Sequence, residues 1–129
     1  MLVAKSIAYS DSASGAYLST VLFPRLGIAD QIKDKSRMVP GEPVAAVVAR
    51  GEAEIGFQQI SELMPIAGID LIGPLPGETQ KLTVFSAAIA AGSKEPDAAR
   101  ALIRFLASPA AAAAITGSGM DLTPTRKND

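Results

Sequence analysis

Serine hydroxyls are the first groups in this chain that could do chemistry. They lie in the run from Asp11 to Gly15, where Ser12, Ser14 and Gly15 would stand at the start of a predicted helix. Serine hydroxyls and free backbone amides at a helix start can hold a small anion without any lysine or arginine. The alternative is that Ser12 or Ser14 only caps its own helix, a position at which serine is strongly preferred.

Two further segments could contribute to the same site. Pro40, Gly41 and Glu42 form a turn between a predicted strand and a predicted helix, and Gln58 and Gln59 end another predicted strand. Glutamine amides donate and accept hydrogen bonds, but only one of the two should face a ligand because side chains alternate along a strand. The alternatives are that Glu42 only favours the dipole of its helix and that the glutamines lie in a solvated turn.

The usual catalytic residues are missing from the 129 residues, which contain no cysteine and no histidine. This excludes disulfides, thiolate nucleophiles, histidine triads and histidine acid–base catalysis. The lysines that could activate a serine, such as Lys5 and Lys81, are predicted at strand starts, which is the edge opposite to the serines. We therefore predict that the protein is not an enzyme and uses no metal or cofactor.

Charge and hydropathy exclude other classes of partner. Twelve basic and thirteen acidic residues give a formal net charge of -1, with no block of either sign, so nucleic acid is not expected as a partner. No apolar stretch approaches the ~20 residues needed to span a bilayer. The first residues also lack the order of charged, apolar and small residues that a secretion signal requires.

Strand and helix patterns alternate along the chain. Five strands are predicted, at residues 5–10, 36–39, 54–58, 69–75 and 81–91, with helices after the first two. Pro24 is expected to kink the first of these helices. The alternation predicts an α/β fold with a mostly parallel five-stranded sheet flanked by helices, in which ligands bind at the carboxyl ends of the strands.

Two helices are predicted after Gly92. The first begins at Pro96, and the second, residues 110–116, is almost wholly alanine. One face of the first helix is apolar and carries Ala99, Leu102, Ile103 and Leu106. The last residues, 126–129, are expected to fray.

Three stretches carry a resemblance to a known family. They read SDSASGAYLSTVLFPRLGI, VPGEPVAAVVARGEAEIGFQQISEL and EPDAARALIRFLASPAAAAAITGSGMD. Together they resemble the type 2 periplasmic solute-binding proteins of ABC importers, in particular the molybdate-binding branch. The resemblance covers nearly the whole chain. It implies that residues 1–85 form the second lobe of a two-lobe protein, and that residues 86–129 form a return strand and the C-terminal helices that complete a first lobe.

The resemblance also implies a function. The protein would be the periplasmic solute-binding component of an ABC importer, closing around a small oxyanion or small polar solute and presenting it to an ABC permease. The backbone contacts of molybdate-binding relatives correspond to Ser14 and the turn from Pro40 to Glu42. Gln59 stands where those relatives hold a tyrosine, so another oxyanion or a small organic solute is equally admissible.

Two further expectations concern association and an alternative function. The apolar face of the helix that starts at Pro96 predicts a homodimer formed through the C-terminal helices. The alternative function is the effector-binding domain of a LysR-type transcription regulator, which shares the two-lobe fold. A signal peptide upstream would favour transport, and a DNA-binding helix-turn-helix would favour regulation.

Overall fold

A small parallel sheet organises the first of two compact units. The computed structural model describes residues 1–122, and its first unit is Met1–Lys81. The strands are β1 (Ile7–Ser10), β2 (Ser36–Val39) and β3 (Ile55–Phe57). They are all parallel, in the order β2-β1-β3, and Ile7 of β1 is in register with Ser36 and Ile55. The carboxyl ends of all three strands therefore meet at one edge.

Short helices follow the strands. After β1 come α1 (Ala13–Tyr17), a π-helical turn (Leu18–Leu22), α2 (Phe23–Arg25), α3 (Ala29–Ile32) and a 3₁₀ turn (Lys33–Lys35). After β2 comes α4 (Val44–Ala49), and after β3 come α5 (Ile60–Leu63) and a second 3₁₀ turn (Gly77–Thr79). This order confirms the predicted α/β class and the parallel pairing of the first three strands.

Pro24 changes the hydrogen bonding of the first helical segment, as expected for a proline inside a helix. Its ring carries no N–H and, in a regular α-helix, would collide with the carbonyl four residues earlier. The preceding turn is wider instead, and the Phe23 N–H bonds to the carbonyl of Leu18, five residues back. The segment therefore continues through Pro24 by way of a π-turn rather than ending there.

The core lies on both faces of β1, because this central strand sends alternate side chains to opposite sides. Ile7 is fully buried in a cluster with Leu22 and Ile32 on one face, whereas Ala8 is fully buried in a second cluster with Val44 on the other. Burying an isoleucine, leucine or valine side chain completely contributes about 1.5–3 kcal/mol to folding. β1 is thus held from both sides, and its carboxyl end is fixed.

The predicted five-stranded sheet is wrong, because three strands are present in the described residues. Residues 69–75 and 81–91 contain no strand. Leu82, Val84 and Phe85, which lie in the predicted fifth strand, are 66–79% exposed. A strand needs a neighbour for its backbone hydrogen bonds, and neither segment pairs with another in the part of the chain described.

The end of the first unit packs along the helices that follow β1. Tyr17 donates a hydrogen bond to the carbonyl of Thr79 (3.1 Å), and Arg25 donates one to the carbonyl of Glu78 (2.6 Å). The Lys81 ammonium lies 5.3 Å from the centroid of the Tyr17 ring, a cation–π contact. These contacts hold the segment that precedes residue 82 against α1 and α2.

The second unit begins at Leu82 and contains α6 (Pro96–Leu106) and α7 (Pro109–Gly117). Both predicted helices are present, and Ser108 is the N-cap residue of α7. α6 has no buried residue, and Leu102, Phe105 and Leu106 are 46–58% exposed. The predicted frayed tail lies outside the described residues.

No single helix within residues 1–122 is long and apolar enough to cross a membrane; α6 and α7 reach that length and apolarity only as a pair bent by 69°.

Candidate functional site

The polar segments singled out in the sequence all follow the carboxyl ends of strands. The serine run follows β1, the turn from Pro40 to Glu42 follows β2, and Gln58 with Gln59 follows β3. Because the three strands are parallel, these segments lie at one edge of the sheet.

Three serine hydroxyls form a closed triangle at the end of β1. The Oγ atoms of Ser10 and Ser12 lie 2.8 Å apart, those of Ser10 and Ser14 lie 3.0 Å apart, and those of Ser12 and Ser14 lie 3.1 Å apart. Ser12 occupies the N-cap position of α1, but its side chain makes no capping hydrogen bond. The alternative reading, in which these serines only cap their helix, does not describe the structure. The triangle offers hydroxyl protons at the edge of the sheet.

Gly15 allows α1 to come close enough to β1 for this triangle to form. Gly15 is buried, and a Cβ atom built on it would overlap the carbonyl oxygen of Ser10. The overlapping atom belongs to the backbone, so a side-chain rotation could not relieve the collision. The lack of a side chain at position 15 therefore sets the distance between the strand end and the hydroxyl of Ser14.

The turn after β2 is fixed by charged side chains from elsewhere in the unit. Gly41 has a φ of 70°, a conformation that favours glycine, and its N–H donates to Oδ2 of Asp11 (3.2 Å). Glu42 is exposed and forms an ion pair with Arg50 (3.1 Å). The sequence suggested Gly41 as a source of a free amide, whereas the structure commits that amide to Asp11.

Arg50 connects Glu42 to a second carboxylate. Its Nε lies 2.6 Å from Oε1 of Glu52, and Arg37 lies 3.2 Å from Oε2 of the same residue. The hydrogen bond from Arg50, followed by that from Arg37, holds the pKa of Glu52 below its ordinary value. All four side chains are about half exposed, so the network adds little stability.

The two glutamines after β3 have different surroundings, as the alternation of strand side chains predicts. Oε1 of Gln58 accepts a hydrogen bond from the backbone N–H of Val44 (2.8 Å), the first residue of α4. Gln59 is the N-cap residue of α5 and makes no side-chain capping bond. The amide oxygen of Gln58 is therefore engaged with the helix, and Gln59 is the glutamine whose side chain is available at this edge.

Two residues that the sequence analysis did not select belong to the same region. Ser10 is 2% exposed and contacts both other serines of the triangle. Glu62 lies in the first turn of α5, and its Oε2 atom is buried without a hydrogen-bond partner among the described residues. The regular spacing of Ser10, Ser12 and Ser14 is a sequence signal that could have identified Ser10. No local sequence feature marks Glu62.

Metal binding has no obvious donor set in this region. Among residues 1–122 there is no group of three or more histidine, cysteine, aspartate or glutamate side chains that could hold a metal ion.

Comparison with known proteins identifies the family. Residues 2–121 match the family described as bacterial extracellular solute-binding protein. The chain belongs to this family. Membership confirms the expectation of a solute-binding protein with a small molecule as ligand, from a family of extracellular proteins. The molybdate-like ligand and the ABC permease stay predictions, and the LysR-type alternative finds no support.

A curated relative of this chain carries the name of an enzyme. The solute-binding chain is 54% identical over 123 residues to a protein of Pseudomonas sp. named aconitate isomerase. The aligned part is 95% of this chain and 47% of the relative, so the chain spans about half the length of that protein. No solved structure matches the chain.

The name of this relative overturns one expectation. The prediction that the protein is not an enzyme is wrong, because a relative with 54% identity carries the name of an enzyme. The absence of cysteine and histidine excludes only the mechanisms that depend on those side chains. Serine hydroxyls and carboxylates remain at the carboxyl edge.

Proposed function

We propose that this chain is part of a protein that binds aconitate and interconverts its isomers. The observation that carries the proposal is the 54% identity over 95% of the chain to a protein named aconitate isomerase. Membership in a solute-binding family supports the binding part of the proposal. The isomerase part rests on the relative's name and on the chemistry available at the carboxyl edge.

Aconitate is an unsaturated tricarboxylate, and its carboxylates suit the hydroxyl triangle. Ser12 and Ser14 would each donate a hydroxyl proton to one carboxylate, and charge-assisted bonds of this kind are stronger than neutral ones. Gly15 sets the distance between the end of β1 and the hydroxyl of Ser14. The side-chain amide of Gln59, which makes no capping hydrogen bond, would donate to another carboxylate of the ligand.

The other predicted site residues would complete this chain's share of the pocket. Pro40 and Gly41 form the backbone turn beside the triangle, held by Asp11. Glu42 would lie at the outer rim, where its ion pair with Arg50 offsets its negative charge near an anionic ligand. Gln58 would orient the start of α4 through Val44 rather than contact the ligand directly.

The isomerisation itself requires a proton to move. Removing a proton from the methylene carbon of aconitate places the C–H electron pair in a new carbon–carbon double bond to the central carbon. The old double bond then gives its electron pair to the far carbon, which takes up a proton. The product is again aconitate, and the geometry of its double bond depends on how the former single bond was rotated. No oxidation or reduction occurs, and one acid–base group is enough.

Glu62 is the carboxylate best placed for this role. Asp11 is engaged by the N–H of Gly41, and Glu42 is exposed and paired with Arg50. Oε2 of Glu62 is buried and has no hydrogen-bond partner in the described part of the chain, and α5 begins at the carboxyl edge. A buried carboxylate oxygen without a partner is costly, and a role in proton transfer would explain it. We assign Glu62 the proton transfer.

We also propose that the whole protein has two lobes. Residues 1–85 would form one lobe, and the C-terminal helices in residues 86–129 would help to complete the other lobe. The chain spans 47% of its relative, which leaves room for that other lobe in the whole protein. Closure of the two lobes would exclude water from the bound tricarboxylate. A periplasmic location and delivery of solute to an ABC permease belong to the same resemblance.

The ligand assignment predicts selective stabilisation by aconitate. In a thermal-shift measurement, cis- or trans-aconitate at about 100 times its dissociation constant should add about 2.7 kcal/mol of stability, and molybdate should add none. The measurement is made on the 129-residue chain and on the natural protein in its full length. Proton NMR of the full-length protein with one isomer should show the other isomer appearing. Stabilisation without conversion would contradict the isomerase proposal and leave solute capture, and a response to molybdate alone would contradict both parts.

The predicted homodimer would use the C-terminal helices. Leu102, Phe105 and Leu106 of α6 are 46–58% exposed, and a continuous apolar face of this kind is unfavourable in water. We expect sedimentation velocity to show dimers of the 129-residue chain at micromolar concentration. Replacing Leu102 and Phe105 by serine should return the chain to monomers without loss of the first unit's fold. A wild-type chain that sediments only as a monomer would contradict the dimer.

A further inference from the structure

Ser10 differs from the other two members of the hydroxyl triangle in its burial. It is the last residue of β1 and is 2% exposed, whereas Ser12 and Ser14 are half-buried. Its Oγ atom lies 2.8 Å from Oγ of Ser12 and 3.0 Å from Oγ of Ser14. No other hydrogen-bond partner of this hydroxyl occurs in residues 1–122. Ser10 is therefore nearly inaccessible from outside, and any effect on a ligand would pass through its two neighbours.

The number of protons in the triangle limits what its members can do. Each hydroxyl has one proton to donate and can accept two hydrogen bonds. Without ligand, the three protons can satisfy the three contacts in a ring, in which every serine donates once and accepts once. Such a ring leaves no proton for an external anion. The ring must therefore open when a carboxylate binds.

Opening the ring assigns a distinct role to Ser10. If Ser12 and Ser14 both donate to a carboxylate, no proton remains for a hydrogen bond between these two serines. Their Oγ atoms are 3.1 Å apart, the longest of the three distances. The single proton of Ser10 is then the only one left inside the triangle. Ser10 donates this proton to the oxygen of Ser12 or Ser14. The hydroxyl that accepts it uses one lone pair for this bond and keeps its own proton directed away from the triangle. A hydroxyl that accepts a hydrogen bond from Ser10 also becomes a better donor to the ligand.

We propose that Ser10 is a positioning residue that directs the hydroxyl protons of Ser12 and Ser14 toward a carboxylate of the ligand. The proposal deepens the function proposed above and rests on it for the identity of the ligand. Gly15 supports the arrangement, because its contact with the Ser10 carbonyl keeps α1 and the hydroxyl of Ser14 within reach of β1.

The test compares aconitate binding by the wild type and Ser10→Ala in the natural full-length protein, using isothermal titration calorimetry. Loss of one such hydrogen bond should raise the dissociation constant of aconitate roughly 3- to 10-fold. Ser10→Cys keeps the size and a weak donor and should fall between the two. Ser36→Ala is the matched control, because the Ser36 hydroxyl lies at the opposite edge of the sheet, buried and without a partner in the described residues. It should bind aconitate like the wild type.

A double-mutant cycle separates positioning from a general structural role. In a Ser12→Ala, Ser14→Ala background, Ser10→Ala should change the dissociation constant little further, because the hydroxyls through which it acts are gone. Equal effects of Ser10→Ala in both backgrounds would overturn the positioning role, as would an unchanged affinity of the single variant. Failure of the wild type to bind aconitate would instead overturn the proposed function and the role of Ser10 with it.

Discussion

Replacing Gly15 by alanine is expected to destabilise the protein by about 3 kcal/mol or more, since a Cβ atom there would overlap the Ser10 carbonyl oxygen. The strand end cannot yield easily, because Ile7 and Ala8 are fully buried on its two faces. In a unit of this size the loss corresponds to a fall in Tm on the order of 10 °C or more. Thermal and urea unfolding followed by circular dichroism measure it.

Gly117→Ala is the matched control for this prediction. Gly117 also lies in a helix, at the end of α7, but a Cβ atom built there meets nothing within 4 Å. Alanine in a helix is about 0.5–1 kcal/mol more favourable than glycine, so this variant should be as stable as the wild type or slightly more so. Equal stability of the two variants would show that α1 does not approach β1 as closely as described.

Gly15→Ala also affects the site. The variant can relieve the overlap only by moving α1 away from β1, which carries Ser14 away from Ser10. We therefore expect the molecules that remain folded to bind aconitate more weakly than the wild type.

Replacing Glu62 by glutamine should remove most of the proposed isomerase activity. The amide keeps the size of the side chain but cannot accept and return a proton. Loss of a general acid–base group typically lowers the rate 10²- to 10⁴-fold, and we expect this loss in kcat with little change in KM. The activity is measured by following cis- and trans-aconitate by NMR in the natural full-length protein.

Solvent isotope exchange provides a second measurement of the same step. In D₂O the wild type should incorporate deuterium into the methylene position of aconitate, whereas Glu62→Gln should not. Glu78→Gln is the control, since Glu78 is exposed in the second 3₁₀ turn and its side chain makes no hydrogen bond within the described residues. Activity of Glu62→Gln close to that of the wild type would exclude Glu62 as the proton-transfer group.

No local feature of the sequence marks Glu62 as a catalytic residue. Cysteine- and histidine-based catalysis is recognised by residue type, and the lack of both residues led to the wrong prediction that the protein is not an enzyme. A proton shift within a tricarboxylate needs a single carboxylate held away from other partners. Thirteen acidic residues qualify by type alone, and burial and hydrogen bonding are what distinguish Glu62 from Asp11 and Glu42.

Local pattern determined the three strands of the first unit and the edge on which the polar segments lie. Alternation and turn residues are encoded over short stretches, and parallel pairing follows from the strand–helix–strand order. This is why the predicted β2 agrees with the structure, and why the serine run and the turn at Gly41 meet at one edge.

Only the tertiary structure decided which of these groups are free. The amide of Gly41 is engaged by Asp11, 30 residues away along the chain, and the oxygen of Gln58 is engaged by the amide of Val44. The apolar residues 81–91 resemble a strand but have none beside them in the described chain. Strand pairing and hydrogen-bond satisfaction depend on groups brought together from distant positions, and a local pattern does not report that geometry.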